Sequence, residues 1–376
     1  MKQTPLNDIH ISLGATMGDF GGWTMPLWYK GGQIAEHKAT REKCGLFDIC
    51  HMGEFLVKGK DSFAFWQKVL SNNVASISNG QAQYSFMLNE NGGVIDDCIV
   101  YRFSEESWML VVNAGTQDSD FEWLKKNALP DMTIENIGDK TGKIDIQGPT
   151  APLVIADIAG RDKIEDLKFF RFIEDFDING IKVLLSRTGY TGEIGFEIYC
   201  EADKTIELWN ILLEAGKKHG ITPVGLGARN TLRLEAGLPL SGSEVRPDIP
   251  AVGTPWSFAI SFDHEFIGKN SLENKNGTFF VYPVEIDGKR KPGHNSKVIK
   301  EGKKAGELTS EILSVSLGMK PAGFIRVNTS LETDEEITII NDRGKEFKAF
   351  VKENPMVKGT SRKKMTVMLE KYLNLS

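Results

Sequence analysis

The chain has 376 residues, more than twice the usual size of a single domain, so two to three units with their own cores are expected. Hydrophobic residues make up 40% and charged residues 26% without any low-complexity tract, which excludes a disordered or fibrous protein. A formal net charge of -6 with no single-sign basic face excludes phosphate-backbone binding, so no nucleic acid is expected as partner.

At the amino end, Met1 to Asp8 has neither the apolar stretch of a secretory signal nor the Arg/Ser-rich character of a transit peptide. No apolar run approaches the roughly 20 residues a membrane span needs, so a cytoplasmic protein without a membrane partner is expected. The stretch from Gly31 to Cys44 is helix-compatible, with Gly45 placed to take the left-handed position after the helix. A strand follows at Gly53 to Lys58, then a short helix through Leu70 that Asp61 or Ser62 can cap. The clearest strand pair is Gln81 to Leu88 and Val94 to Tyr101, joined by Asn89-Glu-Asn-Gly-Gly93 as a hairpin. Ser107 to Asn113 reads as a further strand, and Asp118 to Asn127 as a helix burying Phe121, Trp123 and Leu124.

A similar order returns with strands at Ile181 to Leu185 and Gly195 to Tyr199. A helix then runs from about Lys204 to Lys218, with Ile206, Trp209, Leu212 and Leu213 at helical spacing. Two α+β lobes are the economical reading. After about Trp256 the pattern changes to short β-rich runs such as Gly277 to Tyr282 and Glu335 to Ile340, which indicates a separate all-β domain. Met365 to Ser376 carries a helix-like apolar pattern and is expected to pack on the surface or to fray.

Several residues could carry chemistry. The four cysteines form no Cys-x-x-Cys, and five residues separate Cys44 from Cys50, so neither disulfides nor zinc are expected. The six histidines show no ligand spacing, so no metal is expected. Asp96 and Asp97 interrupt an apolar strand; because side chains alternate, one of them should enter an interior or a cleft, the bland alternative being a solvated acid near a turn. Adjacent strand residues cannot form a facing dyad. Gly225-Leu-Gly-Ala-Arg-Asn-Thr-Leu-Arg-Leu-Glu-Ala236 opens on glycines but lacks the third glycine of a dinucleotide fingerprint. Its Arg229 and Arg233 stand four apart, either as a surface pair balanced by an acid such as Glu235 or as an anion or polar-ligand site. The run Ser186 to Glu197 packs three glycines among hydroxyl and aromatic groups, as a plain hairpin or a site loop. Cys50 and His51 are discounted as a nucleophilic pair because neighbours on an extended strand face opposite ways; His51 is expected to be a structural, hydrogen-bonded residue.

Taken together, Phe20-Gly-Gly-Trp-Thr-Met-Pro26, Gly45-Leu-Phe-Asp-Ile-Cys-His-Met-Gly53, Asn91-Gly-Gly-Val-Ile-Asp-Asp97, Ile146-Gln-Gly-Pro149, Arg187-Thr-Gly-Tyr-Thr-Gly-Glu193, Gly225-Leu-Gly-Ala-Arg229 and Phe266-Ile-Gly-Lys269 are similar to the folate-dependent T-protein family. Its namesake is the aminomethyltransferase of glycine cleavage. The words occur in family order over roughly residues 5 to 270. The resemblance implies an α+β fold: a three-domain cloverleaf of two α+β lobes and a C-terminal β-barrel-like domain around a central folate cavity. The implied division is 1–54 plus 151–255 for a discontinuous first lobe, 55–150 for an inserted second lobe, 256–364 for the β-rich domain, and 365–376 as a tail.

The implied reaction moves the aminomethyl carbon from the dihydrolipoyl arm of H-protein to tetrahydrofolate, the one-carbon acceptor, with release of ammonia. The alternative is a related demethylase or methyltransferase taking its carbon from a free small methylated donor. By the same resemblance Asp97 is the catalytic acid beside the accepting nitrogens, and Glu197 grips the pyrimidine edge of the pterin. Arg229 assists there; Tyr84, Tyr101, Asn113 and Tyr190 line the cavity, and Met52 and Phe170 form apolar walls. The chain departs from the family at Cys50, Asn73, Asn230, Ala251 to Trp256 and Pro355 to Lys363, where Arg362 or Lys363 could replace a family contact.

Overall fold

In the computed structural model, which describes residues 1–274 and 278–373, the chain forms four sheets. A small three-stranded sheet gathers the amino-terminal strands Lys2–Gln3, Thr16–Phe20 and Trp23–Trp28. The six-stranded sheet follows the order Phe172–Ile178, Ile181–Ser186, Gly195–Glu201, Thr141–Gln147, Cys44–Asp48, Ile221–Pro223. Strand Thr141–Gln147 pairs antiparallel with both Gly195–Glu201 and Cys44–Asp48, so although it lies in the stretch 55–150 it belongs to this sheet. Helices Ala151–Ala159 and Thr205–Gly216 cover one face, burying Ile144, Ile146, Phe196 and Ile198 against Val154, Leu208, Trp209 and Leu212.

The five-stranded sheet has the order Gln81–Leu88, Val94–Arg102, Ser107–Val112, Gly53–Lys58, Thr133–Asn136, and contains the hairpin expected from the sequence. Its outer face packs Phe55, Val57, Cys98, Val100 and Leu110 on Phe65 and Trp66 of helix Ser62–Val69 and Leu124 of helix Gln117–Asn127. The last sheet is a closed antiparallel barrel of Phe280–Ile286, Lys297–Lys300, Lys303–Ser314, Lys320–Val327, Glu336–Ile340 and Glu346–Val351. A further apolar cluster joins the barrel to the other units: Phe86, Leu88, Val94, Leu234, Trp256, Phe266, Val281 and Phe324 are mutually buried. Among the described residues, no helix is long and apolar enough to cross a membrane.

Local differences from the sequence reading have physical causes. The helix after Gly31 spans Gly32–Glu42, and Cys44–Asp48 is a fully buried strand, so Gly45 is a strand residue and not a helix stop. Glycine is required there because a Cβ would collide with Thr40 Oγ1 and Val224. Ile206, counted with the apolar stripe of its helix, is exposed. The last apolar segment forms helix Met365–Leu373 and buries Met365, Met368 and Leu369 in the core of the six-stranded sheet; residues 374–376 of that expectation, and Gly277 of the Gly277 to Tyr282 strand, lie outside the described residues.

Candidate active site

Side-chain alternation decides what the two larger sheets show one another. With Ile144, Ile146, Phe196 and Ile198 committed to the helices, Lys143, Asp145 and Gln147 of one strand and Glu197 and Tyr199 of its neighbour project from the other face, with Asp145 opposite Glu197 and Lys143 opposite Tyr199. On the five-stranded sheet, Cys98 and Val100 face the helices, so Asp97, Ile99 and Tyr101 face the other way, as do Glu54 and Tyr84. The two polar faces meet. Tyr101 Oη lies 3.4 Å from Glu197 Oε2 and 3.0 Å from Tyr199 Oη. Glu197 also accepts from Thr188 Oγ1 at 2.7 Å and Tyr199 Oη at 3.3 Å, so a buried carboxylate is surrounded by three hydroxyls.

Asp97 stands four residues before Tyr101, about 13 Å along the strand. Its two carboxyl oxygens accept from Tyr84 Oη at 2.9 Å and Asn113 Nδ2 at 3.0 Å. The neighbouring Asp96 points to the helix side and is fully buried, accepting from the Asn113 amide nitrogen and Nδ2 at 2.9 Å each and from Ser241 Oγ at 2.8 Å. Asn113 thereby bridges both acids. Burial and the adjacent charge of Asp96 push the Asp97 carboxyl up to about 7, so it exchanges its proton near neutral pH. Behind Asp96, burial and the same charge push Asp120 up to about 9, keeping it protonated.

The two arginines of helix Leu226–Glu235 take different roles. Arg233 is buried in an ion pair with Glu244 at 2.9 Å and donates to Ser310 Oγ at 2.9 Å. Arg229 lies over the Tyr190 ring at 4.4 Å, and its buried Nε has no hydrogen-bond partner. Tyr190 is anchored through its hydroxyl to the carbonyl of Pro239. Burial and the nearby Arg229 charge push His51 down to about 3, leaving a neutral ring whose Nδ1 has no partner, so the expected hydrogen bond at that atom is missing. Cys50 donates to the Lys143 carbonyl at 3.2 Å, and burial holds its thiol well above the usual range, which makes it inert as a nucleophile. Lys143 is itself buried, its Nζ 3.6 Å from Met52 Sδ and 4.8 Å from the Tyr199 ring centre. Glu54 is pushed up to about 8 by burial.

Asp145 Oδ2, Glu54 Oε1, His51 Nδ1 and Arg229 Nε are all buried without a partner. Buried polar atoms are normally satisfied, so four orphans along one interface suit a planar polar molecule lying between the sheets. Among the described residues, no group of three or more His, Cys, Asp or Glu side chains could hold a metal ion.

Residues 6–264 match the family model described as the GCVT N-terminal domain. The chain belongs to the GCVT family. It is 41% identical to an aminomethyltransferase of Geobacillus sp. (strain WCH70), over 95% of this chain and 99% of the relative. It is 39% identical to that of Anoxybacillus flavithermus (strain DSM 21510 / WK1), over 96% and 100%. The glycine cleavage system aminomethyltransferase T from Bartonella henselae superposes with a TM-score of 0.88 at 30% identity, covering 96% of this chain and 99% of that one. This GCVT member is accordingly a one-carbon transferase with the family's mixed α/β fold and closed barrel.

Of the residues singled out from the sequence, Asp97, Tyr84, Tyr101, Asn113, Tyr190, Glu197 and Arg229 lie along the interface between the sheets. Met52 and Phe170 border the apolar cluster around Tyr101 and Tyr199, Phe170 in a left-handed turn at φ 58°. The Arg362 guanidinium lies 5.9 Å from the Phe169 ring centre, and Lys363 offers its carbonyl to Arg187. Sequence reasoning missed Lys143, Asp145 and Glu54. The signal was present: in Lys143-Ile-Asp-Ile-Gln147 polar residues alternate with isoleucines, the pattern of a strand with one greasy and one polar face.

Proposed function

We propose that this enzyme works in the cytoplasm as the aminomethyltransferase of glycine cleavage, taking the one-carbon unit from the aminomethyl-dihydrolipoyl arm of H-protein and giving it to tetrahydrofolate, with release of ammonia. The observation that carries the reading is the meeting of the two polar sheet faces, with Asp97 on one, Glu197 on the other, and unsatisfied buried donors and acceptors between them. Tetrahydrofolate supplies the pair of nitrogens that take up the carbon.

The protein's part is to hold and polarise. A reduced pterin presents a 2-amino group and a ring N–H side by side, and Glu197, its charge already stabilised by Thr188, Tyr101 and Tyr199, can accept both. Asp97 sits further along the same cleft, where a carboxylate stabilises positive charge developing at the accepting nitrogens. Tyr84 and Asn113 fix its orientation, so no reorganisation is needed when charge appears. The Tyr190–Arg229 stack closes one side, and Met52, Phe170 and Ile99 supply apolar surface that excludes water. The division of the chain into 1–54 with 151–255, 55–150 and 256–364 belongs to the same reading, and the pairing of Thr141–Gln147 within the six-stranded sheet supports drawing the second boundary nearer residue 140.

The test is ammonia release from aminomethylated H-protein by the purified enzyme, with and without tetrahydrofolate. Release that depends on both is expected. Protein that binds tetrahydrofolate yet releases no ammonia above the uncatalysed rate would refute the assignment and turn the search to small methylated donors.

A further inference from the structure

Asp145 is 1% exposed, and only one of its oxygens is used: Oδ1 accepts from Gln147 Nε2 at 2.7 Å, and Oδ2 has no partner. Its cross-strand neighbour is Glu197, so both carboxyl groups rise from one sheet face toward one cleft. The buried cation next along the strand, Lys143, is engaged by Met52 Sδ and the Tyr199 ring. Arg229, the other nearby cation, leaves its Nε free and faces Tyr190. The fold has thus placed an unsatisfied interior acid directly beside the residue assigned to the pterin edge. Such an acid is retained at a cost to stability unless a ligand completes it.

We propose that Asp145 is a second pterin-contacting carboxyl, meeting the bicyclic ring beside Glu197 through its free oxygen. This rests on the reading that the cleft holds a reduced pterin. Two carboxylates on one cross-strand pair do not both ionise without a cation between them. Three hydroxyls point at Glu197, whereas Asp145 has one donor; burial and the Glu197 charge hold the Asp145 carboxyl well above the usual range, against the opposing pull of Arg229, Gln147 and Lys143, so Asp145 is the one that keeps a proton. Tyr199 on the partner strand, Tyr101 and Glu54 on the facing sheet and His51 complete the titratable surroundings. A neutral carboxyl group donates one hydrogen bond, and the pterin carbonyl adjacent to the N–H gripped by Glu197 is an acceptor in reach of such a donor.

The experiment is calorimetric titration of tetrahydrofolate into wild type, Asp145→Asn, Asp145→Ala and Glu197→Ala between pH 6 and 9. Asp145→Ala is expected to weaken binding about tenfold or more, while Asp145→Asn, which keeps a donor, stays within about threefold at pH 7 and loses any weakening the wild type shows toward pH 9. If Asp145→Ala binds like wild type while Glu197→Ala is weakened, Asp145 is not a contact and the pocket stands. If neither alanine variant weakens binding, the pocket itself is misplaced. Asp145→Asn losing as much as Glu197→Ala at pH 7 would show that an ionised Asp145 is needed, and would overturn the neutral-acid role; that comparison also decides the matter should Asp145→Ala not fold.

Discussion

Two adjacent aspartates on one strand are given different environments by alternation alone. Asp96 is buried against the helix side with three donors, and burial together with the adjacent Asp96 charge pushes the Asp97 carboxyl up to about 7. In the proposed function Asp97 works as a carboxylate, so the active form should accumulate as pH rises through about 7. The kcat/KM for tetrahydrofolate should therefore climb through that region and fall about tenfold per pH unit well below it, while Asp97→Asn gives a low and flat profile. A wild-type profile flat from pH 5.5 to 8.5 would contradict the assigned role. At this scale much was legible: the interruption of an apolar strand marks Asp96 and Asp97, and the alternation around Asp145 could have been used. The depressed, neutral ring of His51 was not legible, since it depends on burial and on Arg229 arriving from a helix 178 positions further along the chain.

Among the secondary-structure elements, strands bounded by turn residues were read within a residue or two: Gly53–Lys58 and Gln81–Leu88 match, and Val94–Arg102 is longer by one. The failures were tertiary. Gly45 reads locally as a helix stop, yet close packing of Thr40 and Val224 is what demands glycine. The final helix, Met365–Leu373, gives no local sign of depth, yet Met365, Met368 and Leu369 sit in the core beside Trp209. Fully burying each such side chain is worth about 1.5–3 kcal/mol. Truncation after Lys364 should accordingly lower the unfolding temperature by roughly 5 °C or more in a thermal melt. An unchanged melting temperature would mean the helix adds nothing to that core.

Across the whole molecule, the site exists because two sheets face each other and the barrel braces both. Glu235 is one tie, accepting from Ser314 Oγ at 2.7 Å at the end of the barrel's longest strand, from Ser316 Oγ at 2.6 Å just past it, and from Arg41 Nη2 at 3.1 Å. The turn to β-rich sequence after about Trp256 could be read from pattern, and the barrel it forms was implied by the family resemblance; which sheet owns Thr141–Gln147 could not be read, because strand pairing between distant segments leaves no local mark. The polar interface carries a cost that depends on pH. Glu54 holds its proton up to about 8 in the folded protein, whereas the unfolded chain releases it near 4.5. The folded state binds more protons between those values, so this group makes stability fall as pH rises from about 4.5 to 8. Urea unfolding of Glu54→Gln should show less loss of stability between pH 5 and pH 8 than wild type; identical slopes would contradict a buried, protonated Glu54.

The central claim is a division of labour across the cleft, with one acid for binding and one for the reacting nitrogens. It is tested most directly by measuring turnover and tetrahydrofolate affinity side by side in Asp97→Asn and Glu197→Ala. Asp97→Asn is expected to lose turnover by about a hundredfold or more with affinity changed by less than about threefold, and Glu197→Ala to lose affinity by about tenfold or more. Small, equal effects of both substitutions on both quantities would contradict it.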